Sequence, residues 1–469
     1  MNKYAFHKES FSNDSKILHI CTTKFLKKQE MKVLKFGGTS VGSPENMRAV
    51  MDLVTDGEQK IVVLSAMSGT TNSLVEISNY LKKKNKDTAR IFIGNLEENY
   101  KKVVAELFTS EENKKKGLKI IKDVFQTIKS FTSGTFSEVG ENTILAQGEI
   151  ISTNLVTLLM NENGHDTKLL PALDFMKIDE DKAADLNYIR EHIKPVIKEV
   201  GDAKYYITQG FICRDADGEI NNLQRGGSDY TASLIGAAVD ADEIQIWTDI
   251  DGFHNNDPRF VDNTKKIDQL SYNEAAELAF FGAKILHPQT VLPARVQNIP
   301  VRLKNTMNPT DDGTLITAES DGRGIKAVAA KDDITAIKIR SGRMLNAYGF
   351  LSKIFKIFAD FRTPIDMIST SEVAVSLTID DTRNLESIKE ELDNFGTVII
   401  DQDMTIVCIV GDIIQEEHGF ASKVFNALDG IPIRMISYGG SRHNISILVP
   451  TERKKETLQA LSDNLLNGL

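Results

Sequence analysis

Three glycine-containing loops carry the residue types best suited to hold a phosphate or a carboxylate. They read KFGGTS at residues 35–40, SAMSGTTN at residues 65–72 and RGGSDYT at residues 225–231. Glycine lets backbone N–H groups approach an anion closely, and a helix that follows turns its positive end toward that anion. Lys35 can neutralise charge on a transferred phosphoryl group, and Arg225 can clamp a carboxylate through two hydrogen bonds. The loops are therefore suited to sites for anionic ligands.

Each loop taken alone also has an ordinary structural explanation. Gly37 and Gly38 could form a tight turn, residues 65–72 could be a helix cap, and Asp229 could serve only as the N-cap of the next helix. The phosphate loop GxxxxGK[ST] and the dinucleotide fingerprint GxGxxG do not occur in the chain. Their absence argues against P-loop enzymes and nicotinamide dehydrogenases.

Polar residues in apolar surroundings give further candidate positions. Glu149 lies in an otherwise apolar helical segment, so its carboxylate requires a partner, either a structural cation or the ammonium group of an amino-acid substrate. Residues 248–259 contain TDIDG and DPR after a predicted strand, where open α/β sheets bind ligands. Residues 281–288, FGAKILHP, present Lys284 at the end of an apolar helix. His287 precedes a proline and is expected to pack or cap, since no metal-ligand spacing accompanies it.

Short apolar runs predict the strands that must position these loops. The predicted strands are Lys32 to Phe36, Lys60 to Ser65, Lys204 to Ile207, Glu243 to Thr248 and Ile299 to Leu303. Segments with helical spacing separate them, which predicts an α/β fold with a largely parallel sheet covered by helices on both faces. The stretch from residue 80 to residue 129 is rich in Lys and Glu and predicts solvated helices.

The pattern changes after a turn-rich hinge near residues 308–313. Residues 334–400 predict the order strand, helix, strand, strand, helix, strand, and much of that order recurs from Met404 onward. Two copies of one small α+β module explain this recurrence. The expected division is an unstructured extension at 1–30, an α/β domain at 31–308, a hinge and joining strand at 309–333, and two modules at 334–400 and 401–469.

Composition narrows the functional classes. The chain has 469 residues, enough for two or three hydrophobic cores, and its 56 Lys plus Arg against 66 Asp plus Glu give a net charge of -10. That sign argues against nucleic acid or an anionic membrane as a partner. Cys21, Cys213 and Cys408 form no CxxC pair, so a reducing, cytoplasmic setting is expected. No apolar run approaches the roughly 20 residues of a membrane-spanning helix, and Met31 is the expected natural start.

In their chain order, these motifs resemble those of the aspartate kinases of the amino-acid kinase family. The resemblance rests on KFGGTSV, SAMSGTTN, GE in an apolar helix, RGGSDYTA, TDIDG with DPR, and FGAKILHP, and it covers essentially residues 31–469. It implies an amino-acid-kinase fold, a mostly parallel sheet sandwiched by helices, with a C-terminal α+β region of tandem ACT domains. It also implies transfer of the ATP γ-phosphoryl group to the β-carboxylate of L-aspartate, the first step toward lysine, threonine and methionine. Mg²⁺ would be held mainly through the nucleotide phosphates.

The resemblance assigns a role to individual residues. Lys35 would stabilise the transferring phosphoryl group, and Asp229 would orient Lys35 or the reacting groups. The residues implied to bind aspartate are Thr71, Glu149, Arg225, Gly226, Gly227 and Ser228. Those implied to bind ATP are Lys35, Gly37, Gly38, Thr248, Asp249, His254, Arg259 and Lys284. His254 is a departure from the family, which usually has a tyrosine in this segment, and it is expected to pack and hydrogen-bond near the nucleotide instead.

The resemblance also implies feedback control by an end-product amino acid. The residues that match the effector segment of lysine-inhibited relatives are Met344, Gly349, Phe350, Leu351, Asp366, Thr370, Ser371 and Glu372. Ala347 and Tyr348 replace the polar pair of the family, so lysine is favoured over threonine without excluding it. Effector sites between ACT domains of two subunits imply at least a homodimer. Two alternatives stay open here: a kinase for glutamate or acetylglutamate, and a non-catalytic amino-acid sensor.

Overall fold

A computed structural model describes most of the chain. The described residues are 31–223, 226–282, 286–320, 322, 324–345, 348–412 and 419–466. The expected extension at residues 1–30, with Cys21, lies outside them. Two regions follow one another along the described chain, an N-terminal region from Lys32 to Thr317 and a C-terminal region from Gly324 to Leu466.

The N-terminal region alternates strands and helices. Its strands are β1 (Lys32–Phe36), β2 (Lys60–Leu64), β3 (Thr167–Leu170), β4 (Tyr205–Gln209), β5 (Ile212–Arg214), β6 (Ile220–Asn222), β7 (Glu243–Thr248), β8 (Gln269–Ser271), β9 (Val301–Asn305) and β10 (Thr314–Thr317). Its helices are α1 (Pro44–Val54), α2 (Thr70–Lys82), α3 (Lys86–Leu107), α4 (Glu111–Ser130), α5 (Glu138–Glu162), α6 (Leu186–Val200), α7 (Gly227–Val239), α8 (Tyr272–Phe280) and α9 (Leu292–Gln297).

Eight of these strands form one sheet, in the order β3-β4-β2-β1-β7-β9-β10-β8. All neighbours pair in parallel except β9 and β10. Along β2, Ile61 and Val63 belong to one hydrophobic core, whereas Val62 and Leu64 belong to another. Both faces of the sheet are therefore covered, and the predicted parallel α/β fold is confirmed.

Two predicted strands lie a little later in the chain than expected. The strand predicted at residues 299–303 begins at Val301, directly after Pro300, whose nitrogen carries no hydrogen for a sheet hydrogen bond. The strand predicted at residues 204–207 runs on to Gln209. Helix α1 begins with two ordinary start signals: Pro44 lies in the first turn, and the Ser43 hydroxyl accepts a hydrogen bond from the Asn46 N–H.

Helices α3 and α4 are less solvated than their charge suggests. Each buries one apolar stripe, and the rings of Tyr100 and Phe125 pack with centroids 6.1 Å apart. The expectation that no segment approaches a membrane-spanning helix is wrong for α5, the one helix in the described chain that is long and apolar enough to cross a membrane by length and composition. Its apolar stretch is 67% buried inside the protein, as expected of a core helix.

The C-terminal region is built on a second sheet. Its strands are β11 (Gly324–Arg340), β12 (Ile368–Thr370), β13 (Ala374–Ile379), β14 (Thr397–Asp412), β15 (Met435–Ser437) and β16 (Asn444–Pro450). Its helices are α10 (Phe350–Asp360), α11 (Leu385–Asp393), α12 (Phe420–Ala427) and α13 (Lys454–Leu461). The sheet order is β12-β13-β11-β14-β16-β15, and all its pairs are antiparallel.

Two long central strands, β11 and β14, are shared by both halves of this sheet. The first half of β11 pairs with residues 406–412, and its second half pairs with residues 397–401. The joining strand expected within residues 309–333 is the first half of β11, and it pairs with the part of β14 that lies in the second expected module. The module boundaries expected after residues 333 and 400 fall inside continuous strands, and close to them Asp333 and Asp403 adopt left-handed backbone conformations. The proposed module boundaries fall within these strands and stay a prediction.

Candidate active site

Four parallel strands end at one edge of the large sheet. Phe36 at the end of β1 lies opposite Leu64 of β2 and Trp247 of β7, and Leu64 lies opposite Gln209 of β4. The chain therefore leaves all four strands at the same edge, where doubly wound sheets bind ligands. A cavity of about 490 Å³ opens there. It is lined by Gly38, Thr39, Ser65, Ala66, Met67, Ser68, Gly69, Thr71, Glu149, Phe211, Gly227, Ser228 and Asp249.

An ion pair joins the first loop to the third. The Lys35 ammonium lies 2.6 Å from a carboxylate oxygen of Asp229, and both side chains are mostly buried. Asp229 is in the first turn of α7, whose N-cap is Gly226. The interpretation of Asp229 as only an N-cap is therefore wrong. Its carboxylate holds the end of the lysine side chain instead, close to Gly37.

Two helices turn N-termini without side-chain caps toward the cavity. Gly69 precedes α2 and Gly226 precedes α7, and both have left-handed backbones with no side-chain cap. Such ends leave N–H groups without intrahelical partners and carry positive helix-dipole charge. Because both cap positions need positive φ, glycine suits them better than the usual Ser, Thr or Asp. This edge is well suited to two anionic groups.

The loops contact one another directly. The Ser68 N–H donates to the Gly38 carbonyl at 3.1 Å, and a β-carbon added to Gly38 would lie 2.9 Å from the Ala66 carbonyl oxygen. The Ser65 hydroxyl donates to the Ser228 hydroxyl at 2.9 Å, which joins the second loop to α7. Close backbone approach therefore explains the glycine at residue 38 better than a solvent-exposed tight turn does.

Glu149 has an incomplete set of partners. Its side chain is buried on α5, and one carboxylate oxygen accepts the Ala66 N–H at 3.2 Å. The other oxygen, Oε2, is buried and has no hydrogen-bond partner within the described part of the chain. Burial raises the pKa of the Glu149 carboxyl to about 7, against the opposing effect of the Ala66 hydrogen bond. The described residues therefore supply a hydrogen-bond partner for only one of the two carboxylate oxygens.

The residues implied to bind nucleotide follow β7. Asp249 lines the cavity and accepts a hydrogen bond from the Thr248 hydroxyl at 3.1 Å. His254 lies beyond the cavity lining, with one ring nitrogen 2.9 Å from Asp251 and the other 3.1 Å from the Thr264 hydroxyl. Its two contacts fix the imidazole within its own loop.

Arg259 does not line the cavity. Its guanidinium forms a bidentate pair with Asp257, at 2.7 and 3.0 Å, and is largely exposed. The neighbouring Phe260 ring packs against the core of the C-terminal region, with the Lys454 ammonium 4.0 Å from its centroid. This segment therefore lies at the junction of the two regions. Lys284 and Arg225 lie outside the described residues, so their predicted roles are carried by the sequence alone.

Phe211 is a cavity residue that sequence reasoning missed. It follows the buried strand β4 and adopts a left-handed backbone, with φ of 69°, and its N–H donates to the Thr231 hydroxyl. The available signal was Gly210, a glycine three residues after the strand predicted at residues 204–207. A β-carbon on Gly210 would lie 2.3 Å from the Ser228 hydroxyl oxygen, so this glycine permits close packing of β4 against α7.

The residues implied to bind an effector lie around the first half of the C-terminal sheet. Gly349 is the N-cap of α10, which begins at Phe350. Met344 and Leu351 pack against the adjoining hydrophobic core. Thr370 is the last residue of β12, and Ser371 and Glu372 are exposed in the turn that follows. Asp366 differs from the others because its side chain is only 4% exposed and pairs with Lys331 at 2.8 Å.

Comparison with known proteins identifies the relationship. Residues 30–305 match the amino acid kinase family, and residues 407–465 match an ACT domain. The lysine-sensitive aspartokinase 3 of Escherichia coli is 33% identical over 453 residues, which cover 93% of this chain and 99% of that protein. The chain belongs to the aspartokinase family. This aspartokinase thus combines an amino-acid kinase domain, the N-terminal region, with an ACT regulatory region.

Solved structures of the Escherichia coli enzyme share this architecture. Aspartokinase III in complex with aspartate and ADP, in its R-state, is 32% identical and superposes with a TM-score of 0.80 over 93% of this chain and 100% of that chain. The same enzyme with lysine and aspartate, in its T-state, is 31% identical with a TM-score of 0.75 over 93% and 99%. The predicted amino-acid-kinase fold with a C-terminal ACT region is confirmed.

Proposed function

We propose that this aspartokinase transfers the γ-phosphoryl group of ATP to the β-carboxylate of L-aspartate at the cavity described above. The observation that supports this site most directly is the Lys35–Asp229 ion pair beside two uncapped helix N-termini. A transferred phosphoryl group and an amino-acid carboxylate are both anionic, and fixed cations with free backbone N–H groups stabilise both. The solved relative with aspartate and ADP has the same fold.

The reaction needs little from the protein beyond positioning and charge. One oxygen of the aspartate β-carboxylate attacks the γ-phosphorus, and the bond from that phosphorus to the oxygen bridging the β- and γ-phosphates breaks, leaving ADP and 4-phospho-L-aspartate. A carboxylate is already ionised at neutral pH, so no general base has to remove a proton from the nucleophile. Asp229 is therefore assigned to hold Lys35, and Lys35 to offset the charge that spreads over the phosphoryl oxygens.

The two substrates divide the cavity between them in this proposal. Glu149 receives the ammonium group of aspartate, because its oxygen Oε2 is buried without a partner among the described residues. Thr71, Gly226, Gly227 and Ser228 at the starts of α2 and α7 hold the carboxylates, together with Arg225. Gly37 and Gly38 hold the phosphates, and Thr248, Asp249, His254, Arg259 and Lys284 form the nucleotide side. Mg²⁺ enters with ATP, bound mainly to its phosphates, and adds positive charge at the transferred group.

Regulation and assembly complete the proposal. Lysine is the proposed effector, bound near Asp366 and α10, and the lysine-bound relative supports this choice. A homodimer formed through the ACT regions is supported by two apolar side chains, Ile368 of β12 and Ile436 of β15, that are exposed to solvent. Cys213 and Cys408 are buried free thiols, which suits a reducing, cytoplasmic compartment.

A hydroxamate assay with ATP and L-aspartate tests the activity. Formation of aspartyl hydroxamate from hydroxylamine reports the acyl phosphate, and parallel reactions with L-glutamate and N-acetyl-L-glutamate test the rival kinases. Repeating the aspartate reaction with lysine and with threonine identifies the effector. Product with glutamate and none with aspartate would refute the proposed substrate, and no product with any acid would favour a non-catalytic sensor.

A further inference from the structure

The buried carboxylate of Asp366 has one occupied oxygen and one open oxygen. Oδ1 pairs with the Lys331 ammonium at 2.8 Å, whereas Oδ2 is buried without a hydrogen-bond partner among the described residues. Lys331 also pairs with Asp380 at 2.9 Å. The cluster thus holds two carboxylates and one ammonium, a net charge of -1. A single further cation at Oδ2 would neutralise it and satisfy the open oxygen.

Lys331 touches the kinase domain as well as the effector region. Its ammonium lies 4.8 Å from the ring centroid of Phe280, the last residue of α8. A cation over an aromatic face is attracted by the ring, and the attraction grows when both groups are partly buried. One lysine side chain therefore contacts the proposed effector carboxylate and a kinase-domain helix together.

The backbone beside Lys331 is packed against the same part of the kinase domain. A β-carbon added to Gly282, two residues after Phe280, would lie 2.0 Å from the carbonyl oxygen of Ala330. Glu277 of α8 accepts hydrogen bonds from Ser441 and Asn444 of the ACT region at 2.8 and 2.5 Å. Helix α8 is thus bonded to the regulatory region through Glu277, and Gly282, just after the helix, packs closely against Ala330.

We propose that Lys331 is a positioning residue of the effector site. It holds Oδ1 of Asp366 so that Oδ2 receives the ammonium group of an amino-acid effector. Its contact with Phe280 couples that binding to the kinase domain. This inference rests on the proposed effector role of Asp366. The opposite arrangement, in which the effector displaces Lys331 from Asp366, predicts the opposite change in affinity when the lysine is removed.

Three variants separate binding from coupling. Lys331→Met removes the charge while keeping much of the chain length, Lys331→Arg keeps the charge, and Phe280→Leu removes the aromatic face without touching Asp366. For each full-length protein, calorimetry gives the lysine dissociation constant, and the hydroxamate assay gives kcat, the aspartate KM and the maximal inhibition by lysine. Near-ultraviolet circular dichroism and thermal melting verify the fold.

We expect Lys331→Met to raise the lysine dissociation constant at least tenfold, with kcat and aspartate KM unchanged when lysine is absent. Lys331→Arg should restore binding to within about threefold, and Phe280→Leu should bind lysine normally but be inhibited less at saturation. Lysine binding by folded Lys331→Met that equals or exceeds that of the parent would overturn the inference, as would full inhibition of Phe280→Leu. A parent that binds neither lysine nor threonine would instead refute the proposed effector site.

Discussion

The ammonium of Lys35 and the carboxylate of Asp229 are 2.6 Å apart, although β1 and α7 are distant in the chain. Asp229 therefore fixes where the positive charge of Lys35 stands before any substrate binds. Phosphoryl transfer depends on positive charge that is already positioned beside the transferred group. Because Asp229 holds the Lys35 ammonium, this side chain does not have to move during the transfer.

Replacing Lys35 by alanine should reduce kcat at least about a hundredfold, as loss of one charged stabilising group does at comparable sites. Lys32→Ala is the matched control, because Lys32 lies on the same strand and forms only a surface pair with Glu58. The hydroxamate assay measures both variants. Equal turnover by the Lys35 and Lys32 variants would remove Lys35 from the proposed mechanism.

The raised pKa of Glu149 predicts a pH dependence of aspartate use. With its pKa at about 7, this carboxyl is ionised above neutrality and protonated below it, and only the ionised form attracts the substrate ammonium. We expect kcat/KM for aspartate to fall as the pH is lowered from 8 to 6. Glu149→Gln should have a higher KM and should lose this part of the profile. A Glu149→Gln profile with the same inflection would assign the titration to another group.

The same shift predicts a cost in stability at high pH. A carboxyl whose pKa rises from 4.5 to about 7 on folding favours the folded state below its unfolded pKa, and this advantage is lost as the pH rises through 7. The ionised form then costs about 3 kcal/mol. The melting temperature of Glu149→Gln minus that of the parent should therefore be larger at pH 8 than at pH 5. A pH-independent difference between the two melting temperatures would contradict this.

Two glycine substitutions should have opposite consequences. Gly38→Ala places a β-carbon 2.9 Å from the Ala66 carbonyl, so the first two loops must separate and activity should fall at least tenfold. Gly94→Ala introduces the same group within α3, where nothing lies within 4 Å of the added carbon. It should raise the free energy of unfolding by about 1 kcal/mol and leave turnover unchanged. Chemical denaturation and the hydroxamate assay together check both expectations.

Ser371→Phe should weaken feedback without changing uninhibited activity, because this residue is exposed beside the proposed effector site and belongs to the C-terminal region, whereas the Lys35 cavity is lined by residues of the N-terminal region. Its N–H donates to the Ala374 carbonyl, a bond that the substitution preserves. Ser422→Phe, on the exposed side of α12, is the control for a bulky ring elsewhere in the regulatory region. Inhibition curves with lysine for both variants decide the point, and equal sensitivity of the Ser371 variant and its parent would exclude this residue from the effector site.

Local sequence was sufficient for five strands of the kinase domain and for the glycine loops, whereas the short strands β3, β5, β6, β8 and β10 were not predicted. The apolar run of β1 and the cap at Ser43 depend on neighbouring residues alone, so their bounds could be read directly. The role of Asp229 could not be predicted from local sequence. An acidic residue in the first turn of a helix can cap the helix, interact with its dipole or pair with a distant cation.

What the sequence by itself determined is the order of strands, glycine turns and helices, and the types of charge available at each turn, because these follow from periodicity and backbone freedom over a few residues. Only the tertiary structure decided which charges meet. It placed Asp229 on Lys35, left one oxygen of Glu149 open, and joined β11 and β14 into strands shared by two modules. Such contacts depend on sheet order and on helix packing across the chain, and no short stretch of sequence contains them.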